Sequence, residues 1–177
     1  FSQFGFRGST LDQIATESGL SKPNILYYFS SKEAIYEALL SQLLTDWLKP
    51  VRDIDPAGEP VEEILKYAQH KLTMSRLYPR ESRLYANEIL QGAPRIKPVL
   101  TGELRDVVAT LAALIKSWSE AGLIRVIDPY HLIFSIWAMT QHYADFDVQV
   151  QAVLCEGDHF DDAEQYLEDM LRRMLTV

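Results

Sequence analysis

Apolar residues recur along most of this chain at the three- and four-residue spacing of α-helices. After Ser31 an apolar stripe predicts a long helix that ends at Pro50. The stripe consists of Ile35, Leu39, Leu43 and Trp47. Two prolines and a glycine then predict a loop over 53–60, and helices are predicted over 60–77, 79–91, 95–121, 128–151 and 159–175. Because no strand-like alternation, repeat or low-complexity tract occurs, the sequence predicts an all-α fold.

Two short helices joined by a glycine turn precede the long helix. Thr10 and Gln13 have the spacing of a capping box, which marks the start of the first helix. Gly19 ends it, because glycine adopts the left-handed conformation that other residues resist. Ser21 starts the second helix, and Pro23 falls in its first turn, where a missing N–H has no helical partner. This arrangement is typical of a helix-turn-helix.

A helix-turn-helix binds DNA through the first turns of its second helix, which enter the major groove. Asparagine can pair with adenine, lysine with guanine or phosphate, and a tyrosine hydroxyl with a backbone oxygen. Ser30 and Glu33 have a second capping spacing, which predicts that Lys32 lies near a phosphate. On the pattern alone, the alternative is a purely structural helical hairpin. The predicted DNA contacts are Thr10, Ser21, Lys22, Pro23, Asn24, Tyr27, Tyr28 and Lys32.

The run SGLSKPNILYYFSSKEA, residues 18–34, resembles the signature of the TetR family of transcriptional regulators. The resemblance implies a homodimer whose amino-terminal helices bind a palindromic double-stranded DNA operator and whose carboxy-terminal helices bind a small-molecule effector. The segments YPRESRL, EILQGAP and IDPYHLIFSIWAMTQHYADF are similar to a family member that represses pyrimidine utilisation. We therefore expect a DNA-binding domain over residues 1–46 and a ligand-binding and dimerisation domain over residues 47–177.

The formal net charge of −8 is unusual for a DNA-binding protein. Residues 1–33 carry three basic and three acidic side chains, so the rest of the chain accounts for the whole deficit. An acidic carboxy-terminal part repels DNA and leaves the amino-terminal helices as the docking face. Since the chain opens without methionine, inside what looks like the last turns of a helix ended by Gly5, we expect a preceding segment rich in Lys and Arg.

Three features predict a cytoplasmic protein without a membrane contact. No apolar run approaches the length that spans a bilayer, and the first residues lack the pattern of a secretory signal. Cys155 is the only cysteine, which excludes an intrachain disulfide and fits a reducing compartment.

The helix predicted from Asp128 is apolar around nearly its whole circumference and should be central. Trp137 and Gln141 are four residues apart, so an indole lies beside an amide that can both donate and accept hydrogen bonds. From the residues alone, these side chains fit a core with a satisfied polar group; the resemblance implies a pocket for uracil or thymine. The candidate ligand residues are Trp47, Trp137, Gln141, His142 and Tyr143. Another flat amphipathic effector is the alternative.

The long helix after Ser31 is the natural lever between such a pocket and DNA, because one end lies in each predicted domain. The last predicted helix has an apolar stripe that could meet its twin across a two-fold axis or pack inside its own subunit. The stripe consists of Phe160, Ala163, Leu167, Met170, Leu171 and Met174.

The rival class is a helical metal-dependent enzyme. Glu156 and His159 have a metal-ligand spacing, and His142 with Asp145 could form a second pair. No nucleophile elbow, phosphate-binding glycine loop, paired cysteines or HExxH motif accompanies them. We therefore predict no catalytic residue, no metal and no cofactor.

Overall fold

A computed structural model describes residues 1–155 and 157–177, and this part of the chain is helical without any strand. The predicted all-α fold is therefore confirmed. In chain order the helices are α1 Gly5–Gly8, α2 Leu11–Ser18, α3 Lys22–Tyr28, α4 Lys32–Arg52, α5 Pro60–Leu77, α6 Pro79–Leu90, α7 Lys97–Val99, α8 Arg105–Glu120, α9 Pro129–Asp145, α10 Asp147–Leu154 and α11 Phe160–Leu175, with a π-helical turn at Leu100–Leu104 between α7 and α8.

Side-chain caps fix where several of these helices begin. In each case an oxygen of the residue before the helix accepts a hydrogen bond from a backbone N–H of the first turn, which has no partner within the helix. The capping residues are Thr10, Ser21, Ser31, Glu59 and Asp128. Ser31 rather than Ser30 caps α4, so the predicted pairing of Ser30 with Glu33 is wrong. Ser31 has the extended backbone that a cap requires, and its hydroxyl accepts from the Ala34 N–H at 3.1 Å.

Three of the predicted helices differ from the structure by more than one terminal residue or in their continuity. Pro50 does not end α4, which continues to Arg52. The missing N–H of Pro50 removes one helical hydrogen bond, the one to the Asp46 carbonyl, and the helix ends two residues after the proline. The helix predicted over 95–121 contains the π-helical turn, which accommodates one residue more than an α-helical turn does. The helix predicted over 128–151 breaks at Phe146, whose backbone is not helical, and α10 begins at the next residue.

Two hydrophobic clusters hold the molecule together. The larger one lies between α5, α8, α9 and α11. From α11 it includes Leu167, Leu171 and Leu175. Leu167 and Leu171 belong to the apolar stripe predicted for this helix, so this part of the stripe packs inside its own subunit. The smaller cluster joins Phe6 of α1, Tyr36 and Leu40 of α4, and Tyr85 of α6. It therefore connects the amino-terminal helices to the remainder of the chain.

None of the described helices combines the length and the apolar character that crossing a lipid bilayer demands.

Candidate nucleic-acid interface and ligand cavity

The helix pair α2 and α3 has the local geometry that the sequence predicts. The Thr10 hydroxyl accepts from the Gln13 N–H at 3.2 Å, and the Gln13 side chain accepts from the Thr10 N–H at 2.8 Å, which completes the capping box. Gly19 has a φ of 67°, in the left-handed region, and the Leu20 N–H bonds back to the Ala15 carbonyl at 3.0 Å. The Ser21 hydroxyl accepts from the Asn24 N–H at 3.3 Å. These contacts fix the angle at which α3 leaves the turn.

Most of α3 faces outward. Ile25 is its one buried residue, whereas Lys22, Pro23 and Asn24 in the first turn are exposed. Tyr27 and Tyr28 are 83% and 74% exposed, with ring centroids 5.1 Å apart in an edge-to-face contact. Two adjacent exposed aromatic rings form an apolar patch of the kind that marks binding surfaces, so this surface is the candidate nucleic-acid interface.

The two lysines predicted to contact DNA are both engaged within the chain. Lys22 Nζ lies 3.1 Å from an Asp12 carboxylate oxygen in an exposed pair, which a competing phosphate can replace. Lys32 Nζ donates to the carbonyls of Phe6 at 2.9 Å and Ser9 at 2.8 Å, and lies 4.4 Å from the centre of the Phe6 ring. Lys32 thus ties α4 to α1 through two of its three N–H groups, and its contact with a phosphate stays a prediction.

A separate polar site lies where α4, α5, α6 and α9 meet. Trp47 of α4, Lys71 of α5 and Gln141 of α9 line two adjacent cavities of about 40 and 10 Å³. The larger cavity is also lined by three aromatic side chains, Tyr67, Tyr85 and Trp137. The structure thus brings together three of the predicted ligand residues, Trp47, Trp137 and Gln141.

Several hydrogen-bonding groups of this cavity are buried. Trp47 Nε1 is buried and has no hydrogen-bond partner among the described residues, whereas Trp137 Nε1 donates to the Tyr67 hydroxyl oxygen at 2.6 Å. A buried donor without a partner is costly, and an acceptor brought by a ligand removes that cost. Burial raises the pKa of Tyr67 and of Tyr85 to about 12, so both hydroxyls stay neutral at physiological pH.

Lys71 is the charged residue of the cavity and was missed by the sequence analysis. Its Nζ lies 5.4 Å from the ring centre of Trp47 and 5.9 Å from that of Trp137. Burial lowers the pKa of Lys71 from 10.5 to about 8, although the nearby Asp145 carboxylate opposes this effect. The signal in the sequence was a lysine in helical phase with Ile64 and Ala68, on the apolar face of α5.

Asp145 supplies the acidic group next to the cavity. Its carboxylate accepts from the Ser82 hydroxyl at 2.6 Å, and Ser82 lines the smaller cavity. Burial raises the pKa of Asp145, while the hydrogen bond from Ser82 and the charge of Arg83 lower it. Ser82 therefore anchors α6 to the end of α9.

His142 and Tyr143, the other two predicted ligand residues, line neither cavity, so a ligand contact by these two side chains stays a prediction. One residue of an α-helix turns by about 100°, so the positions after Gln141 lie on another side of α9. Exposed His142 stacks on Phe146 at 5.1 Å between ring centroids. Together with Tyr166 of α11, His142 and Tyr143 line a groove of about 340 Å³ between α9 and α11.

The residue pairs that the rival interpretation as a metal-dependent enzyme would need do not form a centre in the described part of the chain. Nowhere in it do three or more His, Cys, Asp or Glu side chains group as metal ligands. Asp145 is hydrogen-bonded to Ser82 rather than to His142. Glu156 lies outside the described residues, and the His159 ring contacts the Cys155 carbonyl at 2.9 Å.

Comparisons with known proteins agree with this architecture. Residues 1–39 match a family model described as bacterial regulatory proteins, tetR family, and residues 40–177 match one described as YcdC-like protein, C-terminal region. The HTH-type transcriptional regulator RutR of Escherichia coli strain K12 is 51% identical over 153 residues, which are 86% of this chain and 72% of that protein.

Two solved structures share the fold over nearly the whole chain. PfmR, a TetR-family regulator from Thermus thermophilus, is 19% identical with a TM-score of 0.73, and the match covers 98% of this chain and 92% of PfmR. AibR, solved in complex with isovaleryl coenzyme A and operator DNA, is 18% identical with a TM-score of 0.68, and the match covers 96% and 90%. The relatives are named as transcriptional regulators and not as enzymes. With two family models that together span residues 1–177, the chain belongs to the TetR family of DNA-binding transcriptional regulators.

Proposed function

We propose that this regulator is a repressor whose affinity for its operator is controlled by uracil or thymine. The observation that carries the proposal is the unpartnered N–H of Trp47, buried beside Lys71 and Gln141 in a cavity with two indole rings. The resemblance of the α6 and α9 segments to a pyrimidine-utilisation repressor supports the same choice of effector.

The donors around the cavity match the acceptors of an oxidised pyrimidine. Trp47 Nε1 and Lys71 Nζ can each donate to a ring carbonyl, and the Gln141 amide can donate to a carbonyl while accepting from a ring N–H. The indoles of Trp47 and Trp137 offer flat apolar surface to the ring faces. Cytosine has an amino group in place of one carbonyl, so it leaves one of these donors without an acceptor.

Binding such a ring must enlarge the cavity. A volume of about 40 Å³ accommodates no more than a few water molecules. The side chains that would have to move are Trp47 of α4, Tyr85 of α6 and Trp137 of α9, which line the cavity. Because α4 begins at Lys32 in the DNA-binding domain, a displacement at Trp47 tilts that domain.

On the DNA side, α3 enters the major groove with Asn24 and Tyr27 towards base edges and backbone. Thr10, Ser21, Lys22, Pro23, Tyr28 and Lys32 complete the proposed contact surface. Lys32 has one N–H left for a phosphate beside its two hydrogen bonds to backbone carbonyls. This division assigns DNA binding to residues 1–46 and effector binding and dimerisation to residues 47–177.

A homodimer supplies two such helices for a palindromic operator. The proposed contact is the exposed side of α9 and α11, around the groove lined by Ala138, His142 and Tyr166. The proposed location is the cytoplasm, where the operator and free pyrimidines are both present.

Titrating uracil against the protein bound to an operator fragment tests the effector. We expect uracil to weaken operator binding, and we expect Trp137→Ala to abolish that response without changing operator affinity in the absence of uracil. Phe146→Ala, which removes an exposed aromatic ring at the carboxy-terminal end of α9, is the control and should respond normally. Unchanged operator affinity of the unmutated protein in uracil and thymine rejects this effector, and a response to another flat ligand supports the alternative.

Replacing Asn24 tests the nucleic-acid interface. Loss of a bidentate contact to adenine costs about 1–3 kcal/mol of discrimination, so we expect Asn24→Ala to lower operator affinity roughly 10- to 100-fold. Binding to unrelated DNA should change much less, because phosphate contacts carry it. Asn87→Ala, an exposed asparagine on α6, is the matched control. Equal loss on both kinds of DNA would contradict a base contact by Asn24.

A further inference from the structure

We infer that Arg95 couples the effector cavity to the DNA-binding domain, by clamping α1 and α4 onto the end of α6. The inference rests on the proposed function, since it concerns how the effector changes operator affinity. Arg95 touches neither the cavity nor the proposed DNA surface, so it is a positioning residue.

The side of the clamp towards the DNA-binding domain is aromatic. The guanidinium carbon of Arg95 lies 3.6 Å from the ring centre of Phe6 in α1 and 5.4 Å from that of Tyr36 in α4. Phe6 and Tyr36 also contact each other edge to face, with centroids 5.1 Å apart. A planar guanidinium stacks on an aromatic face in a way that the compact ammonium of lysine does not. The position of Arg95 therefore fixes where Phe6 sits.

The other side of the clamp is a buried carboxylate at the end of α6. Glu88 is 1% exposed, and its two oxygens accept from the Arg95 backbone N–H at 2.8 Å and from the Arg95 guanidinium at 3.1 Å. Arg95 itself is only 19% exposed at its side chain. A two-point contact of this kind makes Arg95 move together with α6.

A strained turn brings Arg95 back over α6. Gly92 and Ala93 have φ values of 87° and 53°, both in the left-handed region. Ala93 is buried, and its N–H bonds to the Glu88 carbonyl at 2.9 Å. An alanine in this conformation persists only where surrounding packing holds it. The turn in the EILQGAP segment is therefore held in one conformation by its packing and its hydrogen bond.

The same helix forms part of the cavity wall. Tyr85, one turn before Glu88, lines the cavity and contacts the Trp47 ring edge to face at 5.1 Å between centroids. Ser82, one turn earlier still, anchors α6 to Asp145. A ring that enters between Trp47 and Tyr85 must displace one of them, because the present cavity is too small. Displacement of Tyr85 moves α6, and Glu88 and Arg95 carry that movement to Phe6.

The test compares three variants in otherwise intact protein. Arg95→Lys keeps the charge and loses the planar stack. Arg95→Met removes both, and Phe6→Leu removes the aromatic face while it leaves Glu88 paired. Arg105→Met, at an exposed arginine at the start of α8, is the matched control. The measurements are operator affinity with and without uracil, and uracil affinity by calorimetry without DNA.

We expect all three variants to bind uracil as the unmutated protein does. The factor by which uracil weakens operator binding should fall roughly 2- to 30-fold in Arg95→Met and in Phe6→Leu, and Arg95→Lys should not restore it. An unchanged factor in both Arg95→Met and Phe6→Leu overturns the inference.

Hydrogen exchange without any effector separates this inference from the choice of uracil. We expect faster exchange of the amides of α1 to α3 in Arg95→Met and in Phe6→Leu than in Arg105→Met. If uracil fails to bind the unmutated protein, the proposed effector is wrong, and this exchange difference still tests the clamp. Equal exchange in all the variants overturns it.

Discussion

Replacing Lys71 by methionine should raise the free energy of unfolding by about 3 kcal/mol at pH 7. The reason is that burial lowers the pKa of Lys71 from 10.5 to about 8, so folding at neutral pH must hold a desolvated ammonium. Methionine has a similar length and no charge, and replacing buried charges with apolar side chains often stabilises proteins by comparable amounts. Denaturant unfolding of the two proteins at pH 7 measures the difference.

The dependence of this difference on pH is the stricter test. Below pH 8 Lys71 is protonated in both the folded and the unfolded state, so the cost is present in full. Between pH 8 and 10.5 the folded state loses the proton first, and the stability of the unmutated protein rises towards that of the variant. The part of the difference that comes from the charge should vanish above pH 10.5, so the difference should become constant there. Lys116→Met, at an exposed lysine of α8, should change stability by less than about 0.5 kcal/mol at every pH. A Lys71→Met protein that is less stable at pH 7 would falsify the desolvated state of this lysine.

A group that weakens the fold in this way suggests a role in binding rather than in stability. Perturbed titratable groups concentrate at functional sites, and Lys71 shares its cavity with the unpartnered N–H of Trp47. Both groups can donate, and Trp47 Nε1 lacks an acceptor among the described residues. A ligand carbonyl that accepts from each of them removes this desolvation cost, and the free energy gained in this way contributes to the affinity for the effector.

The features that the sequence predicted correctly are local in the chain. The cap at Thr10, the left-handed Gly19 and the cap at Ser21 each depend on residues within four positions, so a short motif contains the whole cause. The adjacency of Trp137 and Gln141 follows from helical spacing in the same way. Pro50 shows the limit of such rules, because a proline in the sequence does not by itself determine the residue at which a helix ends.

The features that the sequence analysis missed depend on contacts between distant segments. Lys32 looked free for a phosphate, but its partners are carbonyls more than twenty residues earlier in the chain. Lys71 and Tyr85 reach the cavity from α5 and α6, at positions that belong to none of the motifs quoted from the sequence. His142 follows Gln141 in the sequence, and the rotation of about 100° per helical residue places its side chain on another side of α9. Packing between helices decides each of these cases.

A substitution in the terminal helix α11 should have the second large effect on stability. Leu171 is fully buried between α11 and the main cluster, so we expect Leu171→Ala to lower the free energy of unfolding by about 2–5 kcal/mol. The loss should be the same at low and at high protein concentration, because the contact lies within one subunit. Unfolding curves at two concentrations, together with molecular mass by sedimentation, measure both properties.

Tyr166, on the outer side of the same helix, separates the two uses of α11. It is 64% exposed and lines the groove proposed as the contact between subunits. Tyr166→Ala should therefore shift the mass towards the monomer while the stability of the monomer changes by less than about 0.5 kcal/mol. If Leu171→Ala instead dissociates the dimer and leaves monomer stability unchanged, the buried stripe of α11 serves the partner subunit. If the inner face of α11 stabilises the subunit and its outer face contacts the partner subunit, Leu171→Ala lowers stability and Tyr166→Ala lowers the dimer fraction.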